Sequence, residues 1–329
     1  MAETVEHNYG TAIRAAFEYL LTTYPEVFIM GQGLWSPWYV GNTMTDLDQK
    51  FGTHRIIDTP VSELACTGAG VGAALAGMKP IIVHPRIDFM LYAIDPIVNQ
   101  AAKWSHMLGG QESAGVTVRA IINRGGEQGA QHSQALHAWF AHIPGLRVVM
   151  PATVADARDL LIASVLCPDP VIFIDDRWLY DNSAELPPIQ EIDLTEQGPR
   201  VIEEGEDLTL VSAGFSTEIT LKAREELVAQ GLSCDVIDLR ILNPLDPETI
   251  LESVRKTGRL LVVDGGWRTC GISAEVLALV AEHLRPGELQ STPARITLPD
   301  APAPTSRVLE EAYYPSYDQV VSSALRLMG

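Results

Sequence analysis

The sequence predicts an α/β protein of two domains, each with a mostly parallel sheet covered by helices. Short apolar runs alternate with stretches of helical length, the pattern of strands buried on both faces. The alternation breaks once, over "DNSAELPPIQEIDLTEQGPR" (181–200), which is polar and proline-bearing as linkers are. The 329 residues suffice for two ordinary domains. The expected division is 1–185, a linker at 186–200, and 201–329.

"NYGTAIRAAFEYLLTT" (8–23) reads as an amphipathic helix, with Asn8 as its N-cap and Ile13, Ala16, Phe17 and Leu20 on one face. "VFIMG", "RIIDT" and "KPIIVH" are strands, and "ACTGAGVGAALAG" is a small-residue helix between the last two. "AIDPIVNQAAKW" continues as helix; "VTVRAII", "RVVM" and "PVIFID" are further strands. "ATVADARDLLIASVL" is a helix that Thr153 can cap, with Asp156 three residues on. Beyond the linker, "LTLVSAG", "SCDVIDLR", "RLLVVDGG" and "ARITLPD" are strands. "TEITLKAREELVAQG", "DPETILESVRKTG" and "CGISAEVLALVAEHL" are the helices between them.

With 23 Lys and Arg against 42 Asp and Glu, the net charge is -19, which repels a phosphate backbone and argues against a nucleic-acid partner. No apolar run reaches the ~18 residues of a membrane span, and "MAETVEHNYG" has no signal-peptide pattern. The four cysteines, Cys66, Cys167, Cys234 and Cys270, form no CxxC pair, which suits a reducing, cytoplasmic location.

"INRGGEQGAQHSQALHAWFAHIPGL" (122–146) offers three histidines, His132, His137 and His142, spaced five apart. On a helix that spacing separates neighbours by about 140°, so they diverge, and no metal site is expected in this chain. "GAGVGA" (68–73) fits the loose dinucleotide pattern, but eight residues separate it from the strand "RIIDT". It reads better as a helix packed closely against a sheet. "RGGEQG" could present backbone N–H groups to an anion or be a flexible loop. Glu63 and His132 each follow a strand's C-terminal end, where α/β sheets place ligands.

In order along the chain, "DTPVSELACTGAGVGAALAGMKPII", "DFMLYAIDPIVNQAAK", "GAQHSQALHAWFAHIPGLRVVMPATVADARDLL" and "DPVIFIDD" resemble the β subunit of thiamine-diphosphate-dependent 2-oxo acid dehydrogenase E1 components. That architecture is shared with transketolases. "VIDLRILNPLDPETILESVRKTGRLLVVD" and "LPDAPAPTSRVLEEAYYPS" extend the resemblance to the family's C-terminal domain. The resemblance implies a pyrimidine-binding domain over 1–185 and a transketolase-like C-terminal domain over 201–329. It places the cofactor glutamate on Glu63, the stacking aromatic on Phe89, a pocket residue on Val61, and the histidine facing thiazolium and substrate on His132.

These residue types suit the chemistry. A carboxyl at the pyrimidine N1′ promotes the imino tautomer of the cofactor's 4′-amino group, which takes the C2 proton, and burial tunes that carboxyl. A phenyl ring offers a flat face. An imidazole can donate to the substrate carbonyl oxygen or developing alkoxide.

The family's GDG motif and downstream Asn pair, which hold magnesium and diphosphate, are absent; "DGGW" (264–267) is not that motif. The resemblance therefore implies half a site, completed by an α chain carrying Mg2+, in an α2β2 heterotetramer. Two departures stand out. Gln32 in "GQG" replaces an acid, which weakens a proton relay to Glu63, and "VHP" with Arg86 replaces "EFM". His84 and Arg86 are expected to add positive charge near the substrate entrance, suiting an acidic or phosphorylated substrate.

The leading functional expectation is decarboxylation of a 2-oxo acid with acyl transfer to a lipoyl domain of an acyltransferase. The alternative is a two-chain transketolase-like or carboligating enzyme that passes the carbanion to an aldehyde or ketone. A cofactor-free assembly subunit is the third reading, and Glu63, Phe89 and His132 speak against it.

Overall fold

The computed structural model describes residues 4–329. They form two compact units, one of residues up to 123 with 139–197, the other of 124–138 with 198–329. The segment 124–138, which carries His132, thus groups with the second unit.

In the first unit β1 (Val5–Asn8) leads into α1 (Tyr9–Thr23). Asn8 caps α1 as expected: its side chain accepts from Thr11 N at 2.8 Å while Thr11 Oγ1 accepts from Asn8 N. The apolar face, Ile13, Ala16, Phe17 and Leu20, is fully buried. Strand β2 (Val27–Gly31), β3 (Tyr39–Asn42), α2 (Leu47–Phe51) and β4 (Ile56–Asp58) follow. Next come α3 (Glu63–Leu75), β5 (Lys79–His84), α4 (Ile87–Met90), a π-helical stretch (Asp95–Ala101) and α5 (Ala102–Met107). The π-helix lies where the sequence reads as plain helix, and it contains Pro96, whose missing N–H cannot serve an α-helical ladder. β6 (Thr117–Ile122), α6 (His137–Ala141), β7 (Arg147–Val149), α7 (Val154–Leu166), β8 (Val171–Asp176) and β9 (Ser183–Leu186) complete the unit, whose division from the second falls inside α6.

Six parallel strands run in the order β7-β8-β6-β5-β2-β4. All their carboxyl ends therefore lie on one edge, which gathers Gln32, Asp58, Arg86, Asn123 and Arg177. β9, which shares only Leu186 with the expected linker, pairs antiparallel with β1. The largest fully buried side chain is Arg119 on β6. It grips Asp175 on β8 through Nε and Nη2 at 3.0 and 2.7 Å, and Nη1 donates to Thr43 Oγ1 at 3.0 Å. Such a bidentate pair satisfies both charges where water cannot.

Helix α3 corrects one expectation. A Cβ on Gly70 would lie 2.4 Å from Ile82 Cδ1, so this glycine does let the helix close on β5. Gly68 and Gly72 face open space instead, and Leu64 is 55% exposed. Only part of the small-residue pattern serves packing on the sheet; the rest leaves a bare face. The glycines also sit inside the helix and not at its start, so they do not form a dinucleotide loop.

The second unit contains β10 (Arg200–Glu203), β11 (Leu208–Ser212), α8 (Phe215–Ala229), β12 (Cys234–Asp238), β13 (Ile241–Asn243) and α9 (Glu248–Thr257). It ends with β14 (Leu260–Trp267), α10 (Ile272–His283), β15 (Ala294–Leu298), α11 (Arg307–Tyr313) and α12 (Tyr317–Met328). Its sheet runs β10-β12-β11-β14-β15, parallel except for the edge strand β10. Leu208, Leu210, Val236, Leu261 and Val263 of the sheet pack with Leu227 of α8 and Val320 of α12. No helix among the described residues is long and apolar enough to cross a membrane.

Candidate active site

Glu63 opens α3, five residues beyond the end of β4. Its carboxylate is half-buried and makes no hydrogen bond or ion pair with another described residue. Val61, just before it, is 69% exposed. Phe89 is half-buried on α4, and α3 packs against β5 and against the turn of helix (Leu91–Ala93) that follows Phe89. The fold thus brings Glu63, Val61 and Phe89 to the carboxyl edge of β4 and β5, the two strands on either side of β2. A carboxylate without a partner, an open apolar residue and a ring are the groups an aminopyrimidine needs, and they fit it. The exposure of Val61, Leu64 and Tyr92 (72%) leaves this edge open to water.

Gln32, at the end of β2, donates through Nε2 to the Tyr39 hydroxyl at 3.0 Å. His84 departs from expectation. It is buried, with Nε2 3.1 Å from Thr67 Oγ1 on α3, and burial pushes its pKa down to about 4. It is neutral at pH 7 and adds no positive charge, because an imidazolium there would have no water. A free histidine titrates near 6.5, so between that value and about 4 the unfolded chain binds a proton that the folded chain refuses. Stability is then full above 6.5 and falls as the pH drops toward 4, by about 3 kcal/mol from this group. His84→Asn should flatten that segment, which urea midpoints at about pH 7 and about pH 4.5 would reveal. Arg86 keeps its charge, although burial and then the neighbouring Arg177 both lower its pKa.

His132 lies in the second unit, half-buried, on a loop with left-handed backbone at Gly125, Gly126, Glu127 and Gly129. That loop is pinned within its unit. Its last residues enter α6, where His137 is buried with Nε2 2.9 Å from Asp264 Oδ1 on β14. Asp264 also accepts from Gly266 N at 2.8 Å and Ser273 N at 3.1 Å. Burial alone would raise the Asp264 carboxyl; the facing His137 and these two N–H groups outweigh it and hold the carboxyl below its usual value. Arg124 Nη1 donates to Gly265 O at 3.4 Å, and Glu127 N donates to Glu310 Oε2 at 2.9 Å. A Cβ on Gly265 would lie 2.7 Å from Arg124 Nη1, and one on Gly266 would lie 3.0 Å from His137 Cε1. "DGGW" is therefore the seat of the His132 loop: an acid to hold it and two residues without side chains to admit it.

His137, with no role assigned from sequence, anchors this loop, and Asp264 is a site residue that sequence reasoning missed. The only sequence signal was the pair of glycines after an acid at a strand's end. His142 is exposed. Among the described residues no three His, Cys, Asp or Glu side chains gather as a metal-binding group.

The transketolase pyrimidine-binding domain family matches residues 6–182, and the transketolase C-terminal domain family matches 199–320. The chain is 38% identical to the pyruvate dehydrogenase E1 component subunit beta of Rhizobium meliloti over 312 residues, 95% of this chain and 68% of the relative. It is 37% identical to the acetoin:2,6-dichlorophenolindophenol oxidoreductase subunit beta of Cupriavidus necator over 332 residues, 96% of each chain. Among solved structures, a split-gene transketolase in an inactive β4 tetramer has a TM-score of 0.79, 20% identity and 98% coverage of both chains, a likeness of fold alone. Two domain families in the same order, and relatives matched over nearly the whole length, place the chain: it belongs to the family of pyruvate dehydrogenase E1 β-like subunits, built from a transketolase pyrimidine-binding domain and a transketolase C-terminal domain.

Proposed function

We propose that the chain is the β subunit of a thiamine-diphosphate-dependent 2-oxo acid dehydrogenase E1 enzyme, which decarboxylates a 2-oxo acid and passes the acyl group to a lipoyl domain. The observation that carries this is Glu63: a carboxylate without a partner, at the carboxyl edge of the sheet, on a helix packed against the turn after Phe89. When bound, the cofactor supplies a carbanion equivalent at its thiazolium. Glu63 would hold a proton at the pyrimidine N1′, Val61 and Phe89 would supply apolar contact, and His132 would donate to the substrate carbonyl oxygen.

This chain has no GDG motif for diphosphate and Mg2+. An α-type chain carrying that motif would complete the site, in an α2β2 assembly. The exposed Val61, Leu64 and Tyr92 support this, since an aminopyrimidine pocket must exclude water and this chain leaves its apolar groups open.

The test is reconstitution with the α chain and a panel of 2-oxo acids, assayed for reduction of lipoamide and for carboligation to aldehydes. Lipoamide reduction is the expected result. Carboligation without it would replace lipoyl transfer by carbonyl transfer. Tight cofactor binding and turnover by this chain alone would overturn the two-chain site.

A further inference from the structure

The carboxyl edge of the first unit carries a second group of polar side chains that the proposed proton chemistry leaves unused. Arg86 follows β5, Asn123 follows β6 and Arg177 follows β8, so three adjacent strands deliver them to one place. Arg86 donates to the Asn123 side-chain oxygen through Nη2 at 2.8 Å and Nε at 3.2 Å, and to Pro85 O through Nη1 at 3.0 Å. Arg177 reaches back across the edge, where its Nη2 donates to Tyr39 O at 2.5 Å. The Tyr39 hydroxyl in turn accepts from Gln32 at the end of β2.

The two guanidiniums come from strands on either side of β6, yet they converge. Arg177 lowers the pKa of Arg86 and ranks second only to burial among its influences, ahead of the opposing effects of Tyr39 and Asp88. Arg177 itself makes no ion pair among the described residues, and its Nε is buried with no hydrogen-bond partner. A buried donor left unmade is costly, and so is the approach of two like charges; one anion between the guanidiniums relieves both. A cationic pair at the end of parallel strands, one turn of chain from Phe89, has the place and the chemistry of a ligand subsite.

We infer that Arg86 and Arg177 form an anion subsite that takes a second acidic group on the substrate, a carboxylate or a phosphate monoester, beyond the 2-oxo acid function itself. Neutral His84 adds no charge to it; Gln32 and Tyr39 hold Arg177 in place. The inference names the substrate class of the proposed reaction and rests on that reading only for turnover, since anion binding can be measured without it.

The experiment is calorimetry of the full chain with succinate and, separately, inorganic phosphate, beside the variants R177Q, R86Q and R177K, each checked for an unchanged thermal melt. The expected result is saturable binding of one of the two anions, weakened about 10–100-fold in R177Q and in R86Q and less in R177K. Preference for succinate assigns the subsite to a carboxylate, and preference for phosphate to a phosphate monoester. No binding of either anion, or binding that R177Q leaves unchanged, overturns the subsite. In the reconstituted enzyme, 2-oxo acids bearing the preferred group should outrun pyruvate in kcat/KM, and R177Q should erase the difference. Anion binding without turnover of any 2-oxo acid would sink the proposed reaction and leave the subsite standing.

Discussion

Glu63→Gln should lower turnover of the assembled enzyme by about 10²–10⁴-fold while the chain folds and assembles normally. Both halves of that expectation follow from where the side chain sits. Glu63 is half-buried in the first turn of α3 and bonds to no other described residue, so the native fold loses nothing specific when the carboxylate becomes an amide. The change does remove a favourable charge at a helix N-terminus, worth about 0.3–1 kcal/mol, which a melt would register as a small drop. An amide matches a carboxyl in size but cannot exchange a proton at the pyrimidine, so the loss falls on kcat. The competing view of Glu63, an acid kept only to favour the helix dipole, predicts the same small drop in stability with activity intact. Measuring kcat and the melting temperature on one preparation decides between them. Full activity in Glu63→Gln would remove the basis of the proposed function.

Much of the fold was legible because its signals are local. The Asn8 and Thr153 caps depend on residues three positions apart, and Thr153 Oγ1 does accept from Asp156 N at 3.1 Å. The buried strands are continuous apolar runs. What escaped the sequence depends on distant partners. β1 and β9 are short, largely polar and little buried, and pair over more than 170 residues of chain, so neither shows a strand pattern alone. α11 falls in a stretch that only the family resemblance marked, and α12 lies beyond every segment read as an element. His84 reads as a strand-end cation until its burial beside Thr67 is known. Gly68 and Gly72 read as packing residues until the helix is seen to turn them outward. Arg177 was overlooked for the same reason as Asp264: its importance lies in what faces it.

Within the site the unevenness has a physical cause. The residues proposed to do chemistry are distinctive types after strands, and a sequence displays them. The residues that position them are matched pairs across the fold, and a sequence displays only the halves. Arg119 with Asp175, His137 with Asp264, and Arg86 with Asn123 are each separated by at least 37 residues of chain and joined by bonds of 2.7–3.2 Å. A pairing of that kind is fixed by topology, and topology places the carboxyl ends of parallel strands side by side whatever their order in sequence.

Asp264→Asn carries the second large effect. The Asp264 carboxylate receives three donors: His137 Nε2 and Gly266 N at Oδ1, and Ser273 N at Oδ2. An asparagine can keep its oxygen toward His137 and Gly266, but its NH2 group then faces the Ser273 N–H, donor against donor, in a place closed to water. Turning the amide repairs Ser273 but sets its NH2 against the Gly266 N–H and forces His137 into the other tautomer. Removing one partner of a buried pair in this way costs about 3–5 kcal/mol, and here the cost falls on the seat of the 124–138 loop. The pH dependence has a definite sign. The folded carboxyl lies below its usual value of 3.8, so the pair's contribution is present above 3.8 and is lost as the pH falls through the lower folded value. Asp264→Asn should abolish that acid-side contribution while sparing the His84 contribution between 6.5 and about 4. Amide exchange in 124–138 should quicken, because its anchor is weakened, whereas the six-stranded sheet of the first unit should exchange as before. If His132 acts on the substrate carbonyl oxygen, a displacement of about 1 Å is enough to cost about 10²-fold in kcat. His137→Gln should give a smaller version of the same result, since its amide can still donate to the carboxylate. Unchanged exchange in 124–138 together with full kcat would mean that the pair supports the second sheet alone and that the His132 loop is held by Arg124 and Glu127.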